Sequence, residues 1–216
     1  MRCTVYAGGS KEVVFMQTNK KISTSTQAMV LTAILTAMVV LLQWLGSFIK
    51  VGPFSISLVL LPIVIGAATC GIGSATWLGL VFGGAVLLFG DAAPFLAVNV
   101  PGTFVTVLGK GLACGACAGL SYRLIRKATG KSVSYVAVMV AAIVCAVVNT
   151  GVFLLGCNLF FMDAVTGWAQ AAGLGENVGR YMSVGLVGIN FLIELAVNVV
   201  FGPIVTRLLR FYTVKH

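Results

Sequence analysis

The stretch "AMVLTAILTAMVVLLQWLGSF", residues 28–48, decides the class of this chain, because its 21 residues carry no charge. A helix needs about 20 predominantly apolar residues to cross a bilayer. The rest of the sequence has the same character. Hydrophobic residues make up 59% of its 216 positions and charged residues 9%, against roughly 25% charged in a water-soluble domain. Mean hydropathy is +1.07. The apolar segments are continuous rather than alternating, which argues against a β-barrel and for an all-α membrane protein.

Working outward from this stretch, the sequence predicts six transmembrane helices, at 28–48, 55–70, 72–89, 100–124, 133–160 and 181–208. The second and third are short and separated only by a break at Gly71. Orientation follows from the tendency of lysine and arginine to stay on the cytoplasmic side. Lys20 and Lys21 precede the first span, Arg123, Arg126, Lys127 and Lys131 follow the fourth, and Arg207, Arg210 and Lys215 follow the sixth. With six spans these clusters share one side, so both termini are expected to be cytoplasmic. Topology thus accounts for the +9 net charge without nucleic-acid binding. Residues 1–27 read as a cytoplasmic tail, 28–211 as a six-helix membrane domain and 212–216 as a second tail. Met16 opens "MQTNKKISTSTQ", a short basic lead that makes it an alternative start.

Several chemistries are missing. The only histidine is His216, which leaves no histidine metal site or proton relay in the membrane. No metal ligands, cofactor motif or catalytic constellation stand out. "TVLGKG" (106–111) lacks the upstream glycine and following Ser/Thr of a phosphate loop. The "CGAC" at 114–117 has redox-motif spacing, yet it lies in an apolar helix beside Gly111, Gly115 and Gly119. Small residues there favour close helix packing.

What remains is a polar level inside the membrane. Lys110 is about ten residues, or ~15 Å, from the outer end of the fourth span, near the middle of a ~30 Å hydrocarbon core. Asn149 in the fifth span and Asn190 in the sixth reach a similar depth. Glu194 lies one turn deeper and Asn198 another. Ionisable groups within spans cost about 2.5–3.5 kcal/mol each on insertion scales. Two readings follow. Lys110 and Glu194 form a buried ion pair with the asparagines as interhelical glue, or the level floors a solute pocket that opens outward.

The outer segments supply further candidates. "SFIKVGPFSIS" (47–57) places Lys50 at the outer mouth, and "GDAAPFLAVNVPGT" (90–103) places Asp91, Asn99 and Thr103 above the fourth span. "GCNLFFMDAVTGWAQAAGLGENVGRY" (156–181) holds Asn158 and an interfacial Trp168, and its length and glycines suit a lid. In the first span, "TAILTAM" (32–38) sets Ala33 and Ala37 four residues apart. Similar small-residue stripes run through Gly71, Ala75, Gly79 and Gly83, and through Gly111, Gly115 and Gly119.

These features resemble the substrate-binding S-components of energy-coupling-factor (ECF) vitamin transporters. The lead "TNKKIS", the Ala33/Ala37 motif and above all "GPFSISLVLLPIVIGAATCGIGSATWLGLVFG" (52–83) carry the likeness. It implies an S-component-like six-helix bundle in a bacterial cell membrane. Such a protein captures a vitamin from outside, then docks on a transmembrane coupling subunit that carries two cytoplasmic ATPases. It implies a docking role for Ala33 and Ala37. It also implies a pocket in the outer parts of helices four to six and the first loop, where Lys110, Asn149, Asn190 and Lys50 lie. The stretch 89–111 looks most like the pantothenate branch, and a lysine suits that anion's carboxylate. A self-sufficient carrier with Glu194 as proton-coupling carboxylate is the competing reading, and an intramembrane enzyme is disfavoured.

Overall fold

The computed structural model describes residues 24–48, 50–51, 54–55, 59–130, 135–171, 173, 178–181, 191–196, 200 and 207. In chain order they form α1 (Thr24–Ser47), a two-residue antiparallel ladder of β1 (Lys50–Val51) with β2 (Phe54–Ser55), α2 (Leu60–Thr69) and α3 (Ile72–Leu88). Then come α4 (Ala93–Leu96), α5 (Val100–Thr129), α6 (Tyr135–Phe160), α7 (Met162–Ala171) and the short α8 (Val178–Arg180). Lys50 pairs with Ser55 and Val51 with Phe54. Residues 191–196 are also helical.

Three of these helices are long and apolar enough to cross a membrane: Thr26–Ser47 within α1, then α5 and α6. At 1.5 Å per residue, α5 with its 30 residues is about 45 Å long. The 10 residues of α2 reach only about 15 Å. The segment expected to span from residue 55 therefore starts later, at Leu60, because the chain first makes the β1–β2 ladder. Of the last expected span, 181–208, only 181, 191–196, 200 and 207 are among the described residues.

Backbone chemistry sets the breaks. Gly71, with φ +89°, separates α2 from α3, a conformation that costs glycine little. Asn99 starts α5, its carboxamide oxygen accepting from the Gly102 N–H at 3.0 Å, and Pro101 occupies the first turn, where its missing N–H is harmless. Gly130, with φ +64°, ends the helix after Arg126 and Lys127, cations that favour a helix C-terminus.

Helix α5 is central, packed between α3 and α6. Its contact with α3 is backbone against backbone. Methyl groups placed at Gly79 and Gly111 would each strike the other residue's carbonyl, Gly115 meets the carbonyl of Ala75, Gly119 meets Ile72, and Gly83 meets that of Val107. The partners advance by about one turn at each step, in opposite directions along the two helices. The small-residue stripes expected from the sequence thus serve internal packing. Cys114 belongs to this seam: it is buried, and its thiol donates to the Gly111 carbonyl at 3.2 Å.

Helix α1 has two unlike faces. Leu35, Val39 and Gln43, four residues apart, are buried. Met29, Ile34, Met38, Leu41, Trp44 and Phe48 are exposed, as are Ala33 and Ala37.

The seam yields a contrast within one helix. Gly79→Ala should lower the thermal stability of the purified protein in detergent, by about 1–3 kcal/mol as overpacking does. Gly84→Ala, where the added methyl meets open space, should be neutral or stabilising by up to ~1 kcal/mol. Equal effects would show that the helices do not meet at Gly79.

Candidate functional site

The α3–α5 register puts Lys110, next to Gly111, beside Phe82. The Lys110 ammonium sits 5.2 Å from the centre of the Phe82 ring and 5.4 Å from that of Phe153 on α6. A lysine between two aromatic rings gains cation–π attraction of about 2 kcal/mol when desolvated. That does not replace a counter-charge. Glu194, on helical segment 191–196 and 2% exposed, is a buried carboxylate close enough to interact electrostatically with the ammonium. The chain therefore brings Lys110 and Glu194 into one electrostatic neighbourhood, together with the buried Cys157.

Around this ammonium the facing stripes of α5 and α6 carry the other polar groups. On α5, Thr103, Thr106 and Lys110 follow helical spacing. Asn149, Phe153 and Gly156 do so on α6, where the Thr106 side chain packs against Gly156. Thr103, Thr106 and Asn149 are buried. The Thr103 hydroxyl donates to the Asn99 carbonyl at 2.7 Å. The Thr106 hydroxyl oxygen and the Asn149 carboxamide oxygen have no hydrogen-bond partner among the described residues. An unsatisfied buried acceptor costs about 1–3 kcal/mol, so such atoms mark places where a ligand gains by binding.

Aromatic residues close the end of the bundle at which α5 starts. The Phe95 ring of α4 meets Phe153 at 5.5 Å, Phe161 at 5.1 Å and Trp168 of α7 at 5.4 Å, all edge to face. Phe153 thus touches both this cluster and Lys110. The outer segment expected to be a glycine-rich loop instead contains α7. Its Val165 and Ala169 are buried because Phe161, Val165, Trp168 and Ala169 recur at helical spacing.

The remaining candidates separate by position. Asn158 is exposed; nine residues from Asn149 is about two and a half turns, so it lies on the opposite face of α6 and outside the cluster. Asn99 is occupied as the cap of α5. Lys50 contributes its backbone to the ladder, while its side chain, like the whole of Asn190, lies outside the described residues. Ala33 lines a groove of about 520 Å³ with Met29, Thr32, Thr36, Ser74 and Trp77, between α1 and α3. Hydrogen bonds from Thr32 to Ser74 (2.9 Å) and from the Trp77 indole to Thr36 (3.3 Å) form its floor. Gln43, 1% exposed, was not expected: its side-chain amide donates to the Asp91 carboxylate at 2.6 Å.

A family model described as "ECF transporter, substrate-specific component" matches residues 27–206. The chain belongs to this family. No curated protein and no solved structure matches it. Substrate-specific components are parts of transporters rather than enzymes; they bind a small-molecule substrate and associate with an ECF module. Membership fits the apolar spanning helices and identifies the chain as a membrane protein.

Capping and ligand binding are separable at Asn99. Asn99→Ala should cost about 1 kcal/mol of stability, read as a lower melting temperature, and leave affinity for the transported solute within twofold. A tenfold loss of affinity at unchanged stability would instead make Asn99 a ligand-binding residue.

Proposed function

We propose that this substrate-specific component captures a vitamin carrying a carboxylate from outside a bacterial cell, with pantothenate the leading candidate. It then delivers the vitamin by docking on a transmembrane coupling subunit driven by two cytoplasmic ATPases. The observation that carries the reading is the Lys110 ammonium, held at mid-helix between Phe82 and Phe153. Without solute, Glu194 balances this charge. An incoming carboxylate takes over that role, and the low dielectric between the helices strengthens the new pair. Asn149 and Thr106 contribute acceptors beside it, Asn190 and Lys50 are the further polar groups that the sequence offers for it, and the Phe95 cluster shields the site from water.

The docking half of the proposal rests on α1. Its Ala33 and Ala37 are exposed on a face otherwise lined by large apolar side chains. Small residues let a partner helix approach closely, and the groove beside Ala33 adds depth. In the six-span topology with cytoplasmic termini, this part of α1 lies in the cytoplasmic half, where ATPase-linked partners reside.

Lys110→Ala should weaken pantothenate binding at least tenfold, which is about 1.4 kcal/mol, in the purified, folded protein measured by titration calorimetry. Unchanged affinity would favour a structural Lys110–Glu194 pair instead. A double variant, Ala33→Trp with Ala37→Trp, should abolish ATP-driven uptake in vesicles that also hold the coupling module, with solute affinity preserved. Loss of binding along with uptake would mean that these alanines pack internally. Uptake driven by a proton gradient without the module would refute docking altogether.

A further inference from the structure

Gln43 lies on the inward stripe of α1, one turn past Val39, and is 1% exposed. Such a position ordinarily takes an apolar residue, since a buried amide must satisfy two donors and an oxygen. Its orientation is settled by its partner. Only the NH₂ end can approach a carboxylate, and it does so at 2.6 Å to Asp91. The amide oxygen is thereby turned away from Asp91, and among the described residues it has no hydrogen-bond partner. Counted along the helices, Gln43 lies four residues, ~6 Å, from the end of α1 and Thr106 six residues, ~9 Å, from the start of α5, so the two stand at similar depth, and Lys110 is one turn further along α5.

Three buried oxygens, on three different helices, therefore lack a partner among the described residues: those of Gln43 on α1, Thr106 on α5 and Asn149 on α6. The two amide oxygens can only accept. They call for hydroxyl or N–H groups on whatever occupies the level. Building on the function proposed above, we infer that Gln43 is a solute-binding residue, and that it and Asn149 select an acid bearing hydroxyl or amide donors. Asp91 is a positioning residue that fixes the Gln43 amide with its oxygen free to accept. Lys110 recognises the acid, and the amide oxygens read the rest of the molecule. A site built to accept hydrogen bonds rejects analogues without the donors, because its buried oxygens are then left unpaired.

The test compares two probes, pantothenate and its analogue lacking both hydroxyls, by calorimetry on the full-length protein. The wild-type chain should bind pantothenate at least tenfold more tightly. Gln43→Met should weaken pantothenate at least tenfold and leave the dehydroxylated acid within twofold, so that discrimination collapses. Asn149→Ala, which leaves the Gln43–Asp91 contact intact, should show the same split if Gln43→Met does not fold. Equal losses for both acids would assign Gln43 a structural role and overturn the inference. So would unchanged discrimination in both variants; if Lys110→Ala still abolished pantothenate binding, the proposed function would survive it. Failure of the wild-type protein to bind either acid would overturn both.

Discussion

The rest of the structure depends on the backbone contact between α3 and α5. Where Gly79 faces Gly111, the two helices are too close for even a methyl group. Helices in a bilayer gain little from the hydrophobic effect against one another, since lipid is equally apolar; close packing supplies the attraction. Because the contact is between backbones, it tolerates almost no sliding. It therefore fixes which residue of α5 stands beside which residue of α3, and that register sets Lys110 against Phe82. A charged side chain at mid-membrane is tolerable only if its surroundings are fixed in advance, and here glycines, which bear no chemistry, do the fixing.

In the proposed function this arrangement gives α1 a double role. Its inner stripe ends at Gln43 in the polar level, and its outer face presents Ala33 and Ala37. In the proposed transport cycle one rigid helix therefore touches solute near one end and the coupling subunit near the other. The capping segments α4 and α7 meet through Phe95, Phe161 and Trp168, and Phe153 joins that cap to Lys110.

Much of this was legible in the sequence for reasons that are physical. Long uncharged runs have no stable alternative to spanning helices, so the cores of α1, α5 and α6 were readable directly. Lys110 and Glu194 stood out because ionisable groups in such runs are costly. Periodic glycines announced the α3–α5 seam, although not which stripe met which. Gln43 was invisible for the opposite reason. A neutral amide in an apolar run is unremarkable until Asp91, 48 positions away, is known to hold it. Asn158 falls on the opposite face of α6 from Asn149, which nearness to the following segment in sequence does not reveal. The region containing α7 reads as a loop in the sequence because its glycines and polar residues outweigh the spacing of Phe161, Val165 and Ala169.

The central claim is that the level around Lys110 holds an acid bearing hydrogen-bond donors. Native mass spectrometry of the protein purified from membranes that contain its transported solute tests it most directly. The expected result is a bound small carboxylic acid with hydroxyl or amide groups, present in the wild-type protein and lost in Lys110→Ala. A bound organic cation, or an acid retained equally by both proteins, would contradict it.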